Sequence, residues 1–387
     1  MQTDLFSSDA GVTQSISSSG SGDIRRAGSI VGDRDRDAAV HAIEADLSVR
    51  FKTDFTLITR SWTDAAIATL LGLDISAGDE VILPAMGFSA MANAIEMVGA
   101  RPVFVDVDPD TLLISIPETR RAITSQTKAV LVSHIYGQMV DLRILGLILA
   151  DNPEIHILED ASHAFDTIHR GIRPGMRSTA AFLSFFRDGS IDKNEGGAIL
   201  TNQLALRDAI VQRLPETALL LDDTSEMDSI DARDNLPVAP TLDSHLLSHI
   251  VTGLKNSDAS YQRRLALASR YDTALANTPL RLPRSQPRQQ HGHHLYPIHI
   301  PAMHRDSVQK LLGKQGIQCP VHYGSLPEMD LYKNKYRLNP DRYPVAGRWA
   351  TGTLSLPLSP ELTDAEQDKI IKIIKQDVIP MLLGAFN

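Results

Sequence analysis

Four side chains of this sequence have the chemistry to hold an anionic aromatic molecule, and each stands at the end of a predicted strand or the start of a predicted helix. Asp160 follows a short apolar run, and its carboxylate is able to pair with a ring nitrogen. Phe88 follows another such run and offers a flat surface for stacking. The hydroxyls of Thr63 and Ser184, together with the N–H groups at a helix start, are groups that bind phosphate. These residue types indicate a binding site for an anionic aromatic cofactor.

The four side chains meet only if the chain forms parallel strands joined by helices. Short apolar runs rich in β-branched residues predict strands at 55–59, 80–84, 102–106, 129–133, 155–159 and 180–184. Segments with apolar residues at helical spacing lie between or before them, among them 38–51, 63–73 and 90–98. This alternation predicts an α/β fold with a mostly parallel sheet sandwiched by helices. Ligands of such sheets bind beyond the carboxyl ends of the strands, which is where the candidate residues stand.

The chain divides into three predicted segments. Residues 1–36 are rich in Ser and Gly and have no apolar periodicity, so we predict a flexible tail. Residues 37–243 carry the predicted strands and form the large domain. Residues 244–387 are predicted to form a smaller C-terminal α/β domain. Its predicted elements are helices at 245–275, 305–315 and 363–383 and a strand at 295–300.

Composition excludes several classes of protein. With 38 basic and 47 acidic side chains the net charge is −9, which argues against general nucleic-acid binding. No apolar run approaches the length of a membrane span. The single cysteine, Cys319, excludes an intrachain disulfide and suggests a reducing, cytoplasmic location. His291, His293 and His294 are closely spaced, but they follow a predicted loop and we predict no metal site there.

Several longer runs, in this order along the chain, resemble the DegT/StrS-type sugar aminotransferases, and the resemblance extends from about Asp37 to Ile379. The runs are Gly-Asp-Glu-Val-Ile-Leu-Pro at 78–84, Arg-Pro-Val-Phe-Val-Asp-Val-Asp-Pro at 101–109, His-Ile-Tyr-Gly-Gln at 134–138, Glu-Asp-Ala-Ser-His-Ala at 159–164, Gly-Gly-Ala at 196–198, Val-His-Tyr at 321–323 and Leu-Ser-Leu-Pro-Leu-Ser-Pro-Glu-Leu-Thr at 354–363.

The resemblance implies a fold-type I enzyme that uses pyridoxal phosphate (PLP) and works as a homodimer on a small-molecule substrate. The cofactor-binding residues that it implies are Asp160 at the pyridine nitrogen, His163 at the phenolic oxygen, Phe88 against the ring, and Thr63 and Ser184 at the phosphate. His322 lies in the loop that in this family commonly approaches the sugar. The Asp160 carboxylate would keep the ring nitrogen protonated, so that the ring acts as an electron sink.

The sequence departs from the family at the cofactor site. The lysine that forms the Schiff base is expected where Gly189 stands, and the nearest lysine, Lys193, comes four residues later. Trp62 replaces the glycine of the phosphate-binding Ser-Gly-Thr turn, so its side chain is expected to crowd or fill the phosphate cup. Ala239 stands near the position of an asparagine that the family donates to the partner subunit.

These departures leave alternatives open. Without the lysine, ordinary transamination loses both its aldimine partner and its proton-transferring base. Pyridoxamine phosphate (PMP) or PLP could still bind non-covalently, with His163, Lys193 or Asp188 as the catalytic base. The pocket could instead work on a polar metabolite without any cofactor. In a third interpretation the chain is a non-catalytic subunit paired with an active paralogue, and in a fourth Lys193 reaches the cofactor and transamination is ordinary.

Overall fold

The computed structural model describes residues 33–185, 196–222 and 244–384. The first two of these ranges contain α1 (Asp33–Phe51), β1 (Phe55–Thr59), α2 (Trp62–Gly72), β2 (Glu80–Pro84), α3 (Ala90–Met97), β3 (Arg101–Val105), α4 (Ile116–Ala122), β4 (Thr127–Ser133), α5 (Leu142–Ile148), β5 (His156–Asp160), β6 (Ile168–His169), β7 (Ala180–Ser184), β8 (Gly197–Thr201) and α6 (Leu204–Asp222).

The third range holds the C-terminal elements. They are α7 (Ser244–Leu275), β9 (Gln289–Gln290), β10 (Tyr296–His299), α8 (Ala302–Lys314), α9 (Asp330–Tyr336), α10 (Pro344–Gly352), β11 (Thr353–Leu356), α11 (Asp364–Ile373), a π-helical turn (Ile374–Val378) and α12 (Ile379–Leu382).

A seven-stranded sheet organises the first part of the chain, with the strand order β1-β8-β7-β5-β4-β2-β3. Strands β7, β5, β4, β2 and β3 pair in parallel, whereas β8 runs antiparallel to both of its neighbours, β1 and β7. The predicted mostly parallel α/β sheet is therefore confirmed. Strand β8 was not predicted, although all five of its residues are buried.

The strands form where the sequence offers continuous apolar runs, because both faces of the sheet are covered. Every residue of β4 except Lys128 is buried. Helix α2 begins after Ser61, whose side chain accepts a hydrogen bond from the Asp64 N–H. This helix is nearly all buried between the sheet and α6, and a Cβ at its last residue, Gly72, would lie 3.2 Å from Ile210. The close approach explains a glycine at that end of the helix.

The buried apolar residues form separate clusters. Two of them cover the faces of the sheet, and a third joins α7, α8 and α11 to the two-stranded sheet of β10 and β11. The predicted domain boundaries stay predictions. Helix α1 begins at Asp33, four residues before the predicted start of the large domain at Asp37.

Several predicted features lie outside the described residues: residues 1–32 of the predicted tail, Asp188, Gly189, Lys193 and Ala239. Within the described ranges, no helix combines the length and the apolar character that a membrane crossing requires. Cys319 is buried, and its burial raises the pKa of the thiol to about 12, which makes a reactive thiolate at this position unfavourable.

Candidate active site

The carboxyl edge of the sheet brings together the polar residues that the sequence analysis placed there. Ser133, Asp160 and Ser184 are the last residues of β4, β5 and β7, and Ser133 lies beside Asp160 in the strand register. Trp62 opens α2, the helix that follows β1. Thr63 lies next to it in the first turn of α2 and, like Ser184, is half-buried.

Asp160 is the acidic group of this edge, and its carboxylate is surrounded by hydrogen-bond donors. Its Oδ1 accepts hydrogen bonds from Trp62 Nε1 at 3.0 Å, from the Ser162 N–H at 3.2 Å and from Ser162 Oγ at 2.7 Å. Its Oδ2 accepts one from Ser133 Oγ at 3.1 Å. Only 9% of this residue is exposed. The donors compensate for the burial of the carboxylate, which would otherwise be costly.

Trp62 reaches further than the sequence suggested. Its side chain is expected to crowd or fill the phosphate cup, and its indole nitrogen also donates to Asp160, the residue implied to hold the pyridine nitrogen. The indole is 5% exposed and packs edge-on against Phe182, with ring centroids 5.7 Å apart and an interplanar angle of 83°. Phe182 in turn lies beside Asp160 in the register of β7 and β5.

His163 lies near Asp160 and is held through both ring nitrogens. Its Nδ1 accepts a hydrogen bond from the Tyr136 N–H at 3.1 Å, so its Nε2 carries the proton and donates to the Tyr323 hydroxyl at 3.0 Å. Removal from water and the proximity of His322 lower the pKa of His163 to about 3. The ring is therefore neutral near pH 7, and in this arrangement it is a donor to Tyr323 rather than a general base.

Tyr323 and Phe88 form an aromatic wall of the same site. Their ring centroids lie 6.4 Å apart with an interplanar angle of 51°, and Phe88 is 55% exposed. His322, the predicted substrate residue, bonds through Nδ1 to Ser355 Oγ at 2.9 Å. Its backbone oxygen accepts from the Tyr136 hydroxyl at 2.6 Å. The Val-His-Tyr run at 321–323 predicted His322 as a site residue, whereas Tyr323 was not predicted.

His294 is a second residue that the sequence analysis did not place in the site. Its ring stacks on His163, with centroids 4.3 Å apart and an angle of 15°. The loop around it lies close to the backbone of Gly137, where a Cβ would stand 2.6 Å from the His293 nitrogen. The Gly292 N–H also donates to the Gly137 oxygen at 2.8 Å. A larger residue at position 137 would push this loop away from His163.

A second acidic group, Glu159, lies next to Asp160 in β5 but belongs to the interior. Its Oε2 accepts from His134 Nε2 at 2.5 Å, and neither side chain has any exposure. Its Oε1 accepts from the Gly175 N–H at 2.8 Å and from the Ser178 hydroxyl. The Val140 N–H donates to His134 Nδ1 at 3.2 Å, which fixes the proton on Nε2. This network ties β4, β5 and the loop before β7 together.

A cavity of about 370 Å³ lies elsewhere. It is lined by Arg281, Arg284 and Arg348 among others, and contains none of the predicted site residues.

Comparison with known proteins decides the family of this fold. A family model described as the DegT/DnrJ/EryC1/StrS aminotransferase family matches residues 35–375, which is most of the chain. The chain belongs to this family. The sheet, its covering helices and the C-terminal elements are thus those of a fold-type I aminotransferase, as the resemblance implied.

Three solved structures with the same fold are similar to this chain over most of its length. DesV from S. venezuelae, in complex with a ketimine intermediate, is 27% identical, with 87% of this chain and 88% of that chain covered and a TM-score of 0.75. The PMP form of Spr1654 from Streptococcus pneumoniae, a putative sugar aminotransferase, is 25% identical over 90% of this chain and 91% of that chain, with a TM-score of 0.76. NtdA from Bacillus subtilis with bound cofactor PMP is 26% identical over 87% and 77%, with a TM-score of 0.71.

Proposed function

We propose that this DegT-family protein is an enzyme of a biosynthetic pathway that acts on a sugar, cyclitol or similar polar metabolite. We further propose that ordinary transamination through a lysine-bound PLP is lost or strongly impaired. The sugar-like substrate class is supported by Spr1654, whose name describes a sugar aminotransferase. The loss of ordinary chemistry is supported by Gly189 at the expected lysine position.

One observation on the described residues carries the second part. The chain has eleven lysines, and Lys193 lies outside the described residues. The other ten are all exposed, and none of them ends a strand of the sheet. The described part of the site therefore supplies no amine for a Schiff base to PLP, and Lys193 is the remaining candidate.

PLP or PMP is the cofactor that the family suggests, and Asp160 is the residue that would hold its ring nitrogen. A buried carboxylate at this edge has the right chemistry for a protonated ring nitrogen, which PLP chemistry requires for its electron sink. In this structure, however, Asp160 already accepts hydrogen bonds from Trp62, Ser133 and Ser162. The ring does not fit against Asp160 while the indole lies there. We infer that a pyridoxal species binds non-covalently, or not at all.

The residues facing the substrate support a neutral, hydroxyl-rich ligand. Phe88 presents an exposed ring, and apolar C–H faces of a sugar pack well on such a surface. Tyr323 supplies a hydroxyl that is both donor and acceptor, and the proton on His163 Nε2 fixes how that hydroxyl is oriented. His322 and His294 add further polar ring edges. The chain's own part in the reaction is thus to bind and orient a polyol, with Tyr323 as the group nearest to proton transfer.

The test of impaired transamination is covalent trapping. The protein is purified with added PLP, its visible spectrum is recorded before and after borohydride reduction, and its peptides are mapped by mass spectrometry. We expect no reduced adduct on any lysine, and no difference between the wild type, Lys193→Ala and the matched control Lys128→Ala. An adduct on Lys193 that disappears in Lys193→Ala would show ordinary tethering and overturn this part of the proposal.

The test of substrate class is ligand-observed NMR. Saturation transfer is measured with a panel of free and nucleotide-linked sugars and cyclitols. We expect a subset to bind, binding to weaken at least about tenfold in Phe88→Ala, and no change in Met303→Ala, which alters an exposed apolar residue on α8. Absence of binding by every member of the panel would contradict the proposed substrate class.

A further inference from the structure

The hydrogen bond from Trp62 to Asp160 affects which ligands this site is able to bind. The inference drawn from it rests on the proposed function. We propose that the Trp62 indole is an internal occupant of the position at Asp160 that the protonated ring nitrogen of a pyridoxal species requires. In this arrangement the side chain of Trp62, rather than an external ligand, satisfies Asp160, and it determines whether PLP or PMP binds.

The Oδ1 oxygen of Asp160 is already saturated with hydrogen bonds. An ionised carboxylate has about four lone-pair positions for hydrogen bonds. Three donors converge on Oδ1, namely the Trp62 indole, the Ser162 N–H and the Ser162 hydroxyl, which is one more than the two lone pairs of that oxygen, and the Ser133 hydroxyl donates to Oδ2. Three of these donors come from residues 133 and 162, in or next to the strands β4 and β5. The indole is the one donor that a remote helix brings to the carboxylate.

The indole and a protonated pyridine ring are chemically equivalent as partners of Asp160. An indole offers one N–H donor in the plane of a flat aromatic ring and has no acceptor nitrogen. A protonated pyridine likewise presents one in-plane N–H on a flat aromatic ring. Both groups satisfy a buried carboxylate in the same way, at a distance such as the 3.0 Å observed here. A neutral apolar side chain at position 62 would fill space without supplying that donor.

The indole is also held in place by its surroundings. Trp62 is 5% exposed, and its indole packs edge-on against Phe182. The start of its helix is fixed by the cap at Ser61 and by the close approach of β8, since a Cβ at Gly197 would lie 2.5 Å from the Ser61 oxygen. A ligand that takes Asp160 must first turn this indole out, so its apparent affinity falls by the fraction of molecules in which the indole has left.

The contact itself is tested without any ligand. The chain has two tryptophans, Trp62 and Trp349, so a ¹⁵N-indole-labelled sample gives two N–H signals, which Trp62→Phe and Trp349→Phe assign. We expect Asp160→Asn to move the Trp62 signal upfield, because a charged acceptor is replaced by a neutral one, and to leave the Trp349 signal in place. A Trp62 signal that does not respond to Asp160→Asn would overturn the proposal.

Binding is tested with PMP and PLP, followed by absorbance and by equilibrium dialysis. We expect Trp62→Ala to bind PMP at least about tenfold more tightly than the wild type, the factor expected for one hydrogen bond to a charged group. Trp62→Phe also removes the donor but retains most of the bulk, and we expect it to bind PMP more tightly than the wild type and less tightly than Trp62→Ala. PMP binding by Trp62→Phe that is no tighter than binding by the wild type, or tight PMP binding by the wild type with an unmoved Trp62 signal, would contradict the proposal.

The two proposals fail in different ways. A borohydride-trapped adduct on Lys193 would end the proposed loss of transamination but would leave the proposal about the indole standing, provided that the Trp62 signal moves when PLP is added and so shows that PLP displaces the indole from Asp160. If Trp62→Ala does not fold, as its circular dichroism would reveal, the Asp160→Asn shift and the Trp62→Phe titration still decide the matter.

Discussion

Glu159 and Asp160 are neighbours in one strand, yet they serve two different regions of the molecule. Adjacent residues of a strand point to opposite faces, so one carboxylate enters the interior and the other the candidate active site. The Glu159 carboxylate accepts hydrogen bonds from His134, Gly175 and Ser178. The ring N–H of His134 and the backbone N–H of Gly175 are fixed in direction. Asp160 is satisfied mainly by hydroxyls and by one indole. Because its hydroxyl donors rotate and its indole donor is replaceable, Asp160 is the carboxylate that is able to change hydrogen-bond partners.

The strongest test of this comparison is a matched pair of amide substitutions. In Glu159→Gln, the new NH₂ group must face either the Gly175 N–H or the protonated His134 Nε2, and neither is able to accept. We expect a loss of about 3 kcal/mol in the free energy of unfolding, because two buried N–H donors are left facing each other without an acceptor. In Asp160→Asn, the Ser133 hydroxyl rotates and accepts, so we expect about 1 kcal/mol. Urea unfolding of both variants measures the difference, and equal losses would contradict it.

His163, on the site side of this comparison, predicts a pH dependence of the stability. The pKa of His163 is lowered to about 3, whereas an unfolded histidine titrates near pH 6.5. Between these values the unfolded chain binds more protons than the folded chain, so this residue makes stability fall as the pH falls from about 6.5. Above pH 6.5 both states are neutral and the effect vanishes.

We expect His163→Gln to reduce the slope of unfolding free energy against pH, between pH 4 and 6, by about one proton equivalent. The matched control is His249→Gln, which alters an exposed histidine on α7. Chemical unfolding at several pH values gives the slopes. An unchanged slope in His163→Gln would mean that His163 is protonated in the folded protein.

Sequence reasoning located the site better than it described its contacts. Strands at 55–59, 80–84 and 180–184 have the predicted bounds, and Asp160 ends a strand as expected, because buried apolar runs are a local signal. Strand β8 was not predicted, although Gly-Ala-Ile-Leu-Thr is a buried run of the same kind, because only Gly-Gly-Ala at 196–198 was considered, as a run that resembles the family.

The partners within the site depend on long-range packing. Trp62 was recognised as a departure from the family, but no local pattern gives its side-chain direction, which is set by Phe182 and Asp160 about a hundred residues away. His294 and Tyr323 contact His163 from still more distant segments. Residue types at strand ends therefore predict where a site lies, whereas the side chains that complete it come from elements whose arrangement the sequence does not reveal.

The smallest expected effect concerns Tyr323, which separates positioning in the site from stability. Tyr323→Phe removes the acceptor of the His163 Nε2 proton, and we expect a loss of about 1 kcal/mol. Tyr296→Phe is the matched control, since its hydroxyl donates to Asp272 at 2.7 Å away from the site. Because the Tyr323 hydroxyl is the proposed contact to the substrate, we expect only Tyr323→Phe to weaken saturation transfer to bound sugars. Both variants are expected to unfold at a slightly lower urea concentration than the wild type. If the two variants bind sugars equally well, the hydroxyl of Tyr323 contributes to stability alone, and the proposed contact between this hydroxyl and the substrate is contradicted.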